Sequence, residues 1–105
     1  MKRYAFLMKV KEGFEEEYVR RHKEVWPSVL EANKRVGIRN YSIFMNGDTL
    51  FAYLECEDFD KATKLLAEDP EVAKWEAYMA PIMELGRVNE DGRETFVLQE
   101  VFHLD

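Results

Sequence analysis

The chain has 105 residues, 47% of them hydrophobic and 34% charged, the balance of one globular domain rather than of a disordered, fibrous or low-complexity chain. Lysine plus arginine number 15 against 21 aspartates plus glutamates, a net charge of -6, so the long-range field repels phosphate backbones and anionic lipid and argues against nucleic acid and membrane as partners. One cysteine and two histidines are too few for an intrachain disulfide, a cysteine zinc site or a histidine-rich metal centre.

Residues 3 to 10 alternate as a strand, with Tyr4, Phe6, Met8 and Val10 on one side and Ala5, Leu7 and Lys9 on the other. Lys9 cuts the apolar run short of a signal peptide, and no stretch approaches the roughly 18 apolar residues of a membrane span, which predicts a cytoplasmic protein. After Lys11-Glu12-Gly13 the period changes. Phe14, Tyr18, His22, Val25, Trp26, Val29 and Leu30 recur at helical steps. Pro27 cannot donate to the carbonyl four residues back, so the helix is expected to bend or restart just before it, and Gly37 supplies a stop. Arg39 to Met45 and Thr49 to Glu57 read as strands joined through Asn46-Gly47-Asp48, a tight antiparallel hairpin. Leu50 to Leu54 is apolar without a break, so both faces of that strand ask for cover. Asp58 opens a helix carrying Ala62, Leu65 and Leu66. Asp69-Pro70 opens another carrying Val72, Trp75, Tyr78, Met79 and Ile82. Gly86 to Gly92 reads as a polar loop, and Thr95 to His103 as a final strand.

The order β, α, β, β, α, β predicts an α+β, ferredoxin-like βαββαβ domain spanning residues 1–105, a four-stranded antiparallel sheet with helices on one face. The other sheet face stays bare. A large apolar patch there is best covered by a second copy, which predicts a homodimer of the dimeric α+β barrel kind, with the site between the first helix and the sheet.

His22 stands on the inward stripe one helical turn from both Tyr18 and Trp26. Spacing alone admits a core histidine with both ring nitrogens satisfied, or a proton-transfer group poised near neutrality in an aromatic cleft. Tyr18, Tyr41, Trp26 and Trp75 are either core packing or flat, polar-tipped surfaces that stack on a sugar. Asn40 and Gln99 could orient hydroxyls or cap an edge. The run Glu15-Glu16-Glu17 with Arg20-Arg21 reads as a solvated face, from which Arg21 could still reach a ligand. His103 reads as structural or exposed, and Cys56 as a small hydrophobe.

Several segments carry a resemblance over essentially the whole chain: Ala5-Phe6 with Met8, Glu17-Tyr18 with Arg20-Arg21-His22 and Trp26-Pro27, Asn40-Tyr41-Ser42-Ile43, Leu50-Phe51-Ala52, Trp75 with Tyr78-Met79, and Leu98-Gln99-Glu100-Val101-Phe102. Together they resemble the L-rhamnose mutarotases. The resemblance implies a dimeric ferredoxin-like isomerase that interconverts the α and β pyranose anomers of L-rhamnose without metal or organic cofactor. It places the family histidine on His22, the substrate tyrosines on Tyr18 and Tyr41, and a tryptophan pair on Trp75 and Glu76. Glu76 departs from the pair, and an acidic group there suits hydroxyls better than an apolar ring face. The same topology serves cofactorless monooxygenases and haem-degrading enzymes, and the aromatic pocket would also suit a non-catalytic sugar-binding module.

Overall fold

Alternation of large apolar side chains in the first ten residues forms β1 (Lys2–Lys9), and the hairpin signal forms β2 (Arg39–Asn46) and β3 (Thr49–Cys56). The computed structural model describes residues 1–84 and 96–105; the expected Gly86–Gly92 loop and Thr95 lie outside them. Gly47 turns the hairpin at φ 62°, the left-handed conformation that a two-residue connection demands. β1 runs antiparallel to β3 from Lys2↔Cys56 to Lys9↔Thr49. With β4 (Phe96–Leu98) on its far side, it completes a sheet in the order β2-β3-β1-β4, the ferredoxin-like arrangement predicted from the element order.

Between the strands lie α1 (Glu15–His22), α2 (Pro27–Arg35), α3 (Phe59–Glu68) and α4 (Pro70–Met79), the last followed by a 3-10 turn at Ala80–Ile82. Asp58 and Asp69 start the latter pair of helices. The Asp58 side chain accepts from the Lys61 amide, and Asp69 accepts from the amides of Glu71 and Val72. The break expected at Pro27 is wider than the proline itself. α1 ends at His22, and Trp26 takes an extended ψ of 135°, the conformation that a following proline ring imposes. Trp26 therefore caps α2 and does not extend the stripe of α1.

Period-two alternation sorts the sheet into two faces. Phe6, Ala52 and Ile43 lie in one cross-strand row, and they join a helix-covered core with Leu54, Cys56 and Phe59. A second core group, with Val10, Leu50, Tyr18, Trp75, Met79 and Ile82, locks α1 and α4 over the other end of the sheet. On the opposite face, Leu7, Phe51 and Phe44 form a row, with Phe51 43% and Phe44 65% exposed.

The final strand is shorter than the expected Thr95 to His103. Among the described residues, β4 pairs with β1 through Leu7↔Phe96, Phe6↔Val97 and Ala5↔Leu98. Beyond Leu98 the chain lies at the sheet edge, where Arg3 grips the Glu100 carboxylate through Nε (3.2 Å) and Nη2 (2.7 Å). Val101, Phe102 and Leu104 are exposed, so no second surface enforces the alternation seen in the sequence.

Candidate active site

α1 delivers Tyr18 and His22 one turn apart, and their rings stack at 4.0 Å between centroids. Trp75 from α4 meets the imidazole edge-on at 5.5 Å. The site is thus walled by two helices, where a cleft between α1 and the sheet is expected from sequence; the sheet contributes Tyr41. A groove of about 380 Å³ does open beside α1, lined by Glu15, Glu16, Val19, Arg20, Lys23 and Met45. It occupies the helix flank away from Tyr18 and His22 and shares no residue with the aromatic cluster.

His22 has a defined tautomer. Its Nδ1 lies 3.1 Å from the Tyr18 carbonyl oxygen, and a carbonyl can only accept, so Nδ1 carries the hydrogen and, in the neutral ring, the lone pair is on Nε2. Burial lowers the pKa, with the bond to the Tyr18 backbone opposing it in part. Burial thus favours the uncharged imidazole at neutral pH. Tyr18 is pushed the other way, upward, by its own burial and then by the charges of Tyr41 and Glu76. Tyr41 stands on the edge strand and keeps 42% of its surface exposed. Its phenol is nonetheless pushed up, first by desolvation and then by Glu76. Both tyrosines remain hydroxyl donors at any physiological pH.

A bulge aims Tyr41. β2 and β3 pair regularly from Asn46↔Thr49 back to Ser42↔Tyr53, then shift register before Arg39↔Glu55. Asn40 takes up the extra length at φ 50°, a left-handed conformation that asparagine tolerates better than most residues. Its side chain turns away and donates to Glu55 Oε1 at 3.0 Å. Tyr41 consequently lies on the helix-covered side, its ring centroid 6.3 Å from that of Phe6 in an edge-on contact.

Of the expected site residues, Tyr18 and Trp75 touch His22 by ring contact, and the charge of Glu76 reaches the phenols of Tyr18 and Tyr41. The structure does not bring Asn40, Gln99 or His103 to this cluster. His103 pairs with Asp105 at 2.8 Å, and Cys56 is buried in the core. Sequence reasoning missed Tyr78. Its ring stacks on Trp26 at 5.6 Å and 25°, while Trp26 meets Trp75 edge-on at 5.1 Å, giving a continuous aromatic wall. The three-residue step from Trp75 to Tyr78 on α4 is the signal that could have found it.

The cluster brings together an imidazole, phenol hydroxyls, a carboxylate and flat apolar rings. Such a set of groups suits a small polyhydroxylated ring, whose hydroxyls can meet polar groups while its C–H face lies on aromatic rings. Among the described residues, no group of three or more His, Cys, Asp or Glu side chains is placed to hold a metal ion, and no helix is long and apolar enough to cross a membrane.

Comparison with known proteins points the same way. A tetracenomycin F2 cyclase from Streptomyces glaucescens, 13% identical, superposes with a TM-score of 0.63 over all of this chain and 98% of its own, a likeness of fold alone. The crystal structure of an L-rhamnose mutarotase from Formosa agariphila is 34% identical and superposes with a TM-score of 0.81, each chain covered completely. An L-rhamnose mutarotase from Oceanobacillus iheyensis is 40% identical over the full length of both chains. The family model for L-rhamnose mutarotase matches residues 3–104, and the chain belongs to the L-rhamnose mutarotase family.

Proposed function

We propose that this protein interconverts the α and β anomers of L-rhamnopyranose, with His22 as the base that starts ring opening. The observation that carries the mechanism is the tautomer: Nδ1 is tied to the Tyr18 carbonyl, so Nε2 is the atom able to take a proton. His22 removes the anomeric hydroxyl proton as the bond between C1 and the ring oxygen breaks, giving the free aldehyde. The ring oxygen and the anomeric oxygen sit on the same carbon, so the imidazolium can return its proton to the ring oxygen. Rotation about the bond from C1 to C2 and the reverse transfers then close the ring on either face. No redox change or covalent intermediate is needed. Tyr18 and Tyr41 donate hydrogen bonds to the oxygens that gain negative charge. Trp75 supports the apolar face of the ring, and Glu76 accepts from substrate hydroxyls. Anomers already exchange in water, so one base contributing roughly 10²- to 10⁴-fold is sufficient.

The working unit is a homodimer of one-domain chains, formed through the open sheet face where Leu7, Phe51 and Phe44 line up. A cytoplasmic location suits a sugar-processing enzyme with one buried free thiol. Polarimetry of freshly dissolved α-L-rhamnose tests the activity. The rotation should relax to equilibrium faster in proportion to added protein, and a relaxation rate equal to that of buffer would reject it.

A further inference from the structure

We propose that Arg21 is a positioning residue that clamps the aromatic wall of the site onto the helix carrying His22. This rests on the mutarotase reading for its kinetic consequences but on geometry for the clamp itself. Arg21 is only 15% exposed at its side chain, whereas Arg20 beside it is 58% exposed, although both bind Glu17. The Arg21 guanidinium makes three contacts at once. Its Nε donates to Glu17 Oε2 at 2.7 Å, its Nη1 donates to the Tyr78 carbonyl oxygen at 2.6 Å, and its Cζ lies 4.0 Å from the centroid of the Tyr78 ring.

Each contact has a physical reason. The Tyr78 carbonyl belongs to the last turn of α4, where carbonyls lack amide partners within the helix and carry the negative end of its dipole. A cation donating there satisfies the oxygen and links α4 to α1 across 57 residues of sequence. The same planar guanidinium covers one face of Tyr78, whose ring also stacks on Trp26. Tyr78 thus bears on both Arg21 and Trp26, its side chain also hydrogen-bonded to Arg20, and Trp26 bears on Trp75, which bears on His22. Glu17 fixes the other end of the guanidinium from within α1. Lysine at this position has a single ammonium and cannot meet the carboxylate, the carbonyl and the ring face together.

Arg21 does not touch the reacting atoms, and the Nδ1 bond of His22 lies within α1. Loss of the clamp should therefore loosen sugar binding and leave the proton-transfer step intact. The two tryptophans of the chain both belong to the wall, so near-ultraviolet circular dichroism reads its geometry directly. The test compares Arg21→Met and Arg21→Lys with Lys74→Ala, which breaks an exposed ion pair on α4. Arg21→Met should raise KM for L-rhamnose about tenfold while kcat and its pH profile stay near wild type. Its tryptophan dichroism should change, Arg21→Lys should fall between, and Lys74→Ala should match wild type. If Arg21→Met does not fold, Arg21→Lys alone decides, because a higher KM with altered dichroism is required of it. Unchanged KM and dichroism in Arg21→Lys, or a fall confined to kcat in either variant, would overturn the proposal. Should wild type show no exchange activity, the functional reading fails by itself, and the dichroism of the same variants still decides whether Arg21 holds the wall.

Discussion

Protonation of His22 gives a prediction whose sign follows from its proposed role as base. The Nδ1 hydrogen is committed to the Tyr18 carbonyl at 3.1 Å, so in the proposed base role the reactive form is the neutral ring with its lone pair on Nε2. Burial holds the pKa below the usual histidine value of about 6.5. Neutral imidazole thus dominates at pH 7, and catalysed exchange should form a plateau from about pH 7 upward. Acidification through the lowered pKa fills the lone pair, and each further pH unit should cost about tenfold in rate, the slope of a single proton. The opposite profile, activity falling as pH rises through the histidine pKa, belongs to an enzyme that starts with the imidazolium as acid. The assay is the rate of anomer exchange at saturating L-rhamnose from pH 4.5 to 8.5, with the spontaneous rate subtracted at each point. His22→Ala should lose roughly 10²- to 10⁴-fold, remain flat across the same range, and recover part of its activity with added imidazole, which fits the space left between Tyr18 and Trp75. A wild-type profile that is flat, or that falls only on the alkaline side, would refute the assignment of His22 as initial base.

Three further outcomes follow from particular contacts. Light scattering should give about twice the 12.5 kDa chain mass, and Phe44→Glu or Phe51→Glu should shift the species to the single-chain mass by placing charge on the open sheet face. Asn40→Gly should keep KM near wild type because glycine accepts φ 50°, whereas Asn40→Val should raise KM by straining the bulge that aims Tyr41, as steady-state kinetics would register. Asp69→Ala removes the acceptor for two amides at the start of α4 and the partner of Arg35, and should lower stability by about 1 kcal/mol in urea titration without changing the pH profile of exchange.

Local signals carried most of the fold. Alternation in residues 3 to 10 located β1 because the sheet buries one of its faces, and Asn46-Gly47-Asp48 located the hairpin because few residues take a positive φ there. The end of the chain was less legible. Thr95 to His103 alternates like a strand, yet its pairing ends at Leu98, and strand length at a sheet edge depends on neighbours that the alternation does not encode. The site divides in the same way. Helical spacing placed Tyr18 and His22 together, since a turn of helix decides that contact. The step from Trp75 to Tyr78 on α4 pointed to Tyr78, but Arg21 reaches it across 57 positions, so local spacing gave no indication of the clamp. The Asn40 bulge is also invisible in composition, because asparagine beside a strand reads equally well as a turn.

Two-dimensional exchange spectroscopy on the anomeric protons of L-rhamnose tests the central claim most directly, since it observes both anomers at equilibrium and reads their interconversion without a coupled enzyme. At pH 7.5 the wild-type chain should produce exchange cross-peaks between the α and β signals that grow with protein concentration, and His22→Ala of intact far-ultraviolet dichroism should return them to the level of buffer. Cross-peaks that do not depend on the protein, or that survive undiminished in His22→Ala, would contradict the account.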